Sequence, residues 1–186
     1  MDLREEFLRT CFEPFDGEFA SGKKANNKIE AENIYDHNEL FEAIALRLGQ
    51  AVLEHNPEFV VGVPDGATKL ADAVALRCDL QAVHLKRTGP NREKMEFKDN
   101  FLDREVICRP LSRGVLIEDV FNEFTNTRKS LAIPELSERI VAVVGILDRG
   151  PRRRQEPAVP CRALIRKRIP NELWRYSRMW KYADSE

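Results

Sequence analysis

The stretch "GVLIEDVFNEFTNT", Gly114 to Thr127, decides the fold. Its apolar, β-branched start reads as a buried strand, and the run breaks at two adjacent acids, Glu118 and Asp119. A polar loop follows, and then "TRKSLAIPELS", a helical segment that Pro134 interrupts or ends. The unit strand, loop, helix recurs upstream, and further strands follow downstream. Upstream, "FVVGVPDGA" is a short strand closing in a Pro/Gly turn, "TKLADAVALRCD" has a helical period and "QAVHLKR" is strand-like. Downstream, "RIVAVVGILDRG" is the most apolar strand of the chain, and "PCRALIRKRI" supplies one more. Strands alternating with helices require a parallel sheet covered on both faces, so the class is α/β.

Further out, Leu3, Phe7, Leu8 and Cys11 share one helical face, and Pro14 ends that helix. "EFASGKKANNKIEAENIY" contains a turn at Ser21-Gly22 within a short polar strand or hairpin. Asn38 is placed to cap a helix whose stripe is Leu40, Phe41, Ile44, Leu48, Ala51 and Val52. Residues 88–113 are polar and irregular, with "REVICRPL" as a candidate strand.

The 186 residues suggest one domain with room for a proper core. It divides into a hood segment at 1–35, a core at 36–150, and a last strand with a basic aromatic tail at 151–186. No stretch approaches the ~20 apolar residues of a membrane span. Cys11, Cys78, Cys108 and Cys161 lie far apart without a CxxC pair, which fits a reducing cytosol and neither zinc nor a disulfide framework.

The net charge of −1 hides an asymmetry: residues 151–186 carry ten Lys/Arg and four Asp/Glu, leaving −7 on residues 1–150. Trp174, Tyr176, Trp180 and Tyr182 interleave with that basic charge. Such a tail more often packs its aromatics on the body or a second subunit than it binds nucleic acid.

In parallel sheets, ligands bind beyond the carboxyl ends of the strands. Three such ends carry usable chemistry: "VPDGA", "EDVFNEFTNT" and "DRGPRRR". Glu118 and Asp119 can accept hydrogen bonds from a ribose diol or hold Mg²⁺ through its waters, or one of them can simply cap the following loop. Adjacent strand residues face opposite ways, so both line one crevice only where the backbone turns. Gly66 and Ala67 open a helix, where amides can cradle a pyrophosphate, although a plain strand-to-helix turn also wants glycine. Arg149 has the fork to meet a carboxylate or carbonyl, and Lys86 and Arg87 add positive charge at the same rim. GxxxxGK[ST] and GxGxxG are absent, as are a nucleophile–histidine arrangement and metal-ligand spacing.

From Phe19 to Gly150, these elements in order resemble the type I phosphoribosyltransferases, orotate phosphoribosyltransferase in particular. "FASG" with "KIEAE" resembles the entry hairpin, and "FVVGVPDGATKLADAVA" the strand, pyrophosphate loop and helix. "HLKR" resembles the opening of the mobile loop, "VLIEDV" the signature that binds phosphoribosyl pyrophosphate (PRPP), and "ILDRG" the Leu-Asp-Arg that follows.

The resemblance implies a Mg²⁺-assisted transfer of ribose 5-phosphate from PRPP to a base nitrogen. Glu118 and Asp119 would bind the ribose hydroxyls. Asp65, Gly66 and Ala67 would meet pyrophosphate, Lys86 and Arg87 would neutralise it, and Arg149 would read an acidic pyrimidine. With the loop re-registered, Asn122, Thr125, Asn126 and Thr127 would hold the 5′-phosphate. The metal would be held mainly by substrate, with Asp65 or Asp119 as protein ligand. The resemblance also implies a homodimer acting on a nucleobase or nucleotide, and the cysteine pattern a cytoplasmic location.

The departures are equally specific. After Asp119-Val120 the family reads Ile-Thr-Thr-Gly-x-Ser, and here a hydroxyl position holds Glu123 and the glycine position Phe124. Ala20 stands for a lysine, Asp65 for a tyrosine, and Pro90 for the mobile-loop lysine, with Arg92 and Lys94 as substitutes. Two functions follow: a divergent PRPP-dependent transferase, or an inactive relative that binds a nucleotide and acts as an effector.

Overall fold

The structure, a computed structural model, describes residues 2–19, 22–98, 101–151, 153–173 and 181–182. Helix α1 (Leu3–Cys11) leads into strands β1 (Phe12–Glu18) and β2 (Lys24–Ile29). A 3-10 turn at Ala31–Asp36 precedes α2 (Asn38–Leu53), β3 (Phe59–Gly62), α3 (Thr68–Cys78), β4 (Gln81–Thr88) and β5 (Lys94–Phe97). The chain continues through α4 (Phe101–Cys108), β6 (Gly114–Phe121), α5 (Thr125–Leu131), α6 (Pro134–Ser137), β7 (Ile140–Asp148) and β8 (Cys161–Arg166).

Strands β1 and β2 pair antiparallel as a separate hairpin, and the other six form one sheet in the order β5-β4-β3-β6-β7-β8. All neighbours in that sheet run parallel except the edge strand β5. This is the covered parallel sheet that the alternating strands and helices predict.

Alternation along the central strands divides the core in two. Val60, Val115, Ile117, Ala142 and Val144 face α1, α2 and α3. Phe59, Val61, Leu116 and Val143 face the layer containing α4 and α6. Because both faces are covered, β3 and β7 are buried almost throughout, and their sequences read as apolar runs rather than alternating ones. Gly62 is required by packing: a Cβ there would lie 2.6 Å from the Ala67 carbonyl oxygen, where α3 folds back onto β3.

Several expectations change. The "REVICRPL" region is helical, because Val106 and Ile107 turn their side chains into the second core from α4. β5 and β1 are additional strands. Asn38 is the first residue of α2 rather than its cap; His37 holds the cap position and makes no side-chain capping bond. Pro14 lies inside β1, next to a register shift between Pro14 and Gly17 that a two-stranded hairpin tolerates. Pro134 starts α6 as its first residue instead of merely ending α5.

No helix among the described residues is long and apolar enough to cross a membrane. Of the tail aromatics, Tyr182 packs 6.4 Å from Phe12 between ring centroids. Trp174, Tyr176 and Trp180 lie outside the described residues, as do Ala20 and Ser21 of the expected hairpin turn.

Candidate functional site

The sheet order places the site. From β3 the chain moves one way to β4 and later returns to β6 on the other side of β3. A crevice opens where the order reverses, beyond the carboxyl ends of these two strands. Its walls are the β3–α3 turn and the β6–α5 loop.

The β3–α3 turn is bonded mostly to itself. The Ala67 amide donates to the Val63 carbonyl at 3.1 Å and the Thr68 amide to the Asp65 carbonyl at 3.3 Å. These two amides therefore close the turn. The Pro64–Asp65 peptide is cis. Arg87 donates from Nε (2.9 Å) and Nη2 (2.6 Å) to the Pro64 carbonyl. Arg92 donates to the Asp65 carboxylate at 2.7 Å, and the Tyr35 hydroxyl to the Gly66 carbonyl at 2.6 Å. A side chain on Gly66 would collide with the Asp119 carboxylate, so the turn lies directly against that acid.

Glu118 and Asp119 sit within β6, which runs on to Phe121. Their side chains take different partners. Glu118 is buried and accepts a 2.5 Å bond from the Thr127 hydroxyl, while half-buried Asp119 faces the Gly66 turn and accepts from the Val120 amide at 2.7 Å. Burial first, and then the charge of Asp119, holds Glu118 well above the usual carboxylate range. Asp119 is also raised, chiefly by burial, with the Val120 amide opposing. Burial and the neighbouring charge both favour the protonated form of Glu118. We place the proton on Glu118, the more buried, and the charge on Asp119. That charge also helps burial push the Tyr35 phenol upward.

In the β6–α5 loop, Phe124 stands at the position where the resembling family has glycine. Phe124 adopts a left-handed backbone, φ +55°, the conformation for which glycine is ordinarily chosen. Its ring does not obstruct the loop. It turns inward, 3% exposed, 4.9 Å from the Phe121 ring and under the Arg154 guanidinium at 4.2 Å. Arg154 also donates to the Asn122 carbonyl (2.9 Å) and pairs with Asp148 (2.7 Å). Arg128 donates to the Glu123 carbonyl at 2.8 Å. The Glu123 carboxylate pairs with Lys23 at 2.6 Å, across from the hairpin turn. A cavity of about 210 Å³ lies over this loop, lined among others by Phe19, Glu118, Asn122, Thr125 and Asn126. Thr127 lies beneath it, fully buried against Glu118.

Arg149 is held by the protein's own acceptors. It is 3% exposed and donates to the Asn27 side chain at 2.7 Å and to the Ile169 carbonyl at 3.1 and 3.2 Å. Burial draws its pKa down to about 10. It still borders a second cavity, of about 480 Å³, together with Lys23, Lys24, Asn122, Glu123 and Arg168. Lys86 and Arg87 part company on β4. Arg87 reaches the β3–α3 turn, whereas Lys86 borders a cavity of about 550 Å³ between β5 and α5–α6. That cavity is the largest described, and it contains neither acid of the pair.

No protein-family model matches the sequence, and no curated protein matches it significantly. Solved structures do. Orotate phosphoribosyltransferase from Aeropyrum pernix superposes with a TM-score of 0.64 at 19% identity, over 89% of this chain and 93% of that one. Adenine phosphoribosyltransferase from Leishmania tarentolae gives 0.63 at 16% identity, over 89% and 88%. The UMP synthase of Leishmania donovani gives 0.60 at 20% identity, over 80% of this chain, which spans 31% of that longer one. The chain has the type I phosphoribosyltransferase fold. At these identities the likeness establishes the fold, shared here by orotate and adenine enzymes alike.

Within this phosphoribosyltransferase fold, sequence reasoning missed Lys23, Tyr35 and Arg154. Nothing in the sequence marks Lys23 among the four neighbouring Lys and Asn side chains, and Arg154 is one of three consecutive arginines. A metal ion fits only in part. Among the described residues no group of three His, Cys, Asp or Glu side chains could hold one. Mg²⁺ keeps several waters and commonly takes one carboxylate with substrate phosphates. Asp119 suits that role, since the Asp65 carboxylate is already paired with Arg92.

Proposed function

We propose that this chain transfers ribose 5-phosphate from PRPP to a nucleobase, releasing pyrophosphate. The observation that carries the reading is the unequal acid pair at the sheet crevice. Asp119, charged and half-buried, would accept hydrogen bonds from the ribose diol and stabilise positive charge building on the sugar. Glu118, neutral and fixed by Thr127, would present a second oxygen to the sugar without adding charge. The left-handed Phe124 supports a loop course on which Asn122, Thr125 and Asn126 meet a 5′-phosphate. Mg²⁺ bound by Asp119 and the donor's own oxygens would neutralise the leaving pyrophosphate, with Arg87 and Arg92 close to the turn. With Lys23 paired to Glu123, the second cavity still has Lys24, Arg149 and Arg168 against Glu172, which supports an anionic base such as orotate over adenine.

A second reading, a nucleotide-binding effector without turnover, is favoured by the Glu123 carboxylate in the phosphate loop. Calorimetric titration with PRPP and Mg²⁺, beside orotidine monophosphate, separates the two when combined with pyrophosphate release in the presence of orotate or adenine. Micromolar binding with release supports the transferase. Binding of the monophosphate without release supports the effector, and no binding of either overturns both.

A homodimer is the proposed assembly. The adjacent helices α2 and α3 carry the exposed Leu46, Leu53 and Leu76, and sedimentation equilibrium tests it.

A further inference from the structure

The Glu123 carboxylate is misplaced for a phosphate loop unless something neutralises it. Its backbone is held: the Glu123 carbonyl accepts a 2.8 Å bond from Arg128, and the next residue is anchored by a buried ring. With the backbone held in this way, side-chain rotation decides where the charge sits. Glu123 borders both the 210 Å³ cavity over the loop and the 480 Å³ basic cavity. Neither neighbouring arginine serves the carboxylate. Arg154 binds the Asn122 carbonyl and Asp148, and Arg128 binds the Glu123 and Gln155 carbonyls. Its ion-pair partner is Lys23, at 2.6 Å, which borders the basic cavity and not the smaller one.

We propose that Lys23 is a positioning residue that draws Glu123 away from the 5′-phosphate subsite, so that the loop accepts a phosphorylated ribosyl ligand despite its acid. The inference rests on the PRPP reading. An unpaired carboxylate beside a phosphate dianion raises the cost of binding, whereas pairing it with a lysine offsets part of that cost. The lysine acts on the ligand only through Glu123. The pair also joins the turn of the β1–β2 hairpin to the loop, so the hairpin and the phosphate subsite are linked by one contact. Both side chains are partly exposed, 53% for Lys23 and 25% for Glu123. Such a pair contributes little to folding, and its loss should register in binding rather than in stability.

The test is a double-mutant cycle on the full chain: PRPP with Mg²⁺ titrated calorimetrically into wild type, Lys23→Met, Glu123→Gln and the double variant, with thermal midpoints alongside. Lys23→Met should weaken PRPP binding by about tenfold, the order expected of one uncovered charge near a dianion at intermediate dielectric. Glu123→Gln should tighten binding, and the double variant should return to within about twofold of Glu123→Gln, with all midpoints close to wild type. If the double variant stays as weak as Lys23→Met, the lysine touches the ligand itself and the proposal is overturned. Unchanged binding in Lys23→Met overturns it as well. If wild type fails to bind PRPP while Glu123→Gln binds it, Lys23 does not neutralise the acid, and both the proposal and the PRPP reading fall. If no variant binds PRPP, the PRPP reading fails and takes this inference with it.

Discussion

Arg149 donates a 2.7 Å hydrogen bond to the side chain of Asn27, linking the end of β7 to the β1–β2 hairpin 122 residues earlier in the chain. Asn27, also fully buried, passes the linkage on by donating to the Pro170 and Asn171 carbonyls. The hairpin, the end of the sheet and the segment after β8 therefore meet around one guanidinium. Arg149→Ala should lower folding stability by about 3 kcal/mol, because it leaves buried acceptors unpaired. Urea unfolding measures this. A midpoint unchanged from wild type would show that the linkage is not structural and would return Arg149 to a purely ligand-binding role.

The acid pair predicts an asymmetry between two isosteric changes. Glutamine reproduces the neutral, hydrogen-bonded form of Glu118, so Glu118→Gln should keep the fold and lose turnover by no more than about tenfold. Asp119→Asn removes the charge that faces the sugar and should cost at least a hundredfold, about 3 kcal/mol of transition-state stabilisation. Equal losses would mean the proton is not on Glu118.

The same pair makes stability depend on pH. Glu118 titrates near 4.5 in the unfolded chain and well above that when folded. Between the two values the folded state holds the extra proton, so this contribution is full below pH 4.5 and is lost as pH rises through the folded value. Urea midpoints taken from about pH 5 to pH 8 should therefore fall more steeply in wild type than in Glu118→Gln. Asp119, also raised, keeps some slope in the variant. A wild-type profile that rises over this range would contradict the assignment.

Gly66 is confined by the carboxylate beside it. Gly66→Ala places a methyl group against Asp119 and must displace either the acid or the turn. Turnover should fall at least tenfold, while stability drops by only about 1–2 kcal/mol, since Asp119 can rotate. Full activity in this variant would place the reacting sugar elsewhere.

Phe124 sets two effects against each other. Glycine would relieve a left-handed backbone worth about 1 kcal/mol, but would remove a buried ring worth about 3–5 kcal/mol. Phe124→Gly should therefore destabilise by about 2–4 kcal/mol, read by urea unfolding, despite restoring the residue most often found in such a loop. Glu123→Thr alone is the better route to a tighter phosphate subsite, since it removes the charge and keeps the ring.

The central strands, the helix stripes and the sheet class were legible in the sequence because each is a periodic, local signal. Val115 to Ile117 must be buried wherever the strand lies, and the α2 stripe must face a core. The acids at the end of that run were legible for the same reason, since two carboxyls closing an apolar strand violate its pattern. What the sequence left open depends on contacts between residues far apart in the chain. Whether the side chain of Phe124 blocks or supports its loop depends on Arg154 and Phe121. Whether Arg149 reads a ligand or braces the hairpin depends on Asn27 and Ile169, and whether Glu123 repels a phosphate depends on Lys23. No spacing rule encodes such meetings. Periodicity fixes which face of an element is apolar, but the charge state and orientation of a polar side chain are fixed by its neighbours in space, and only the tertiary structure brings those together.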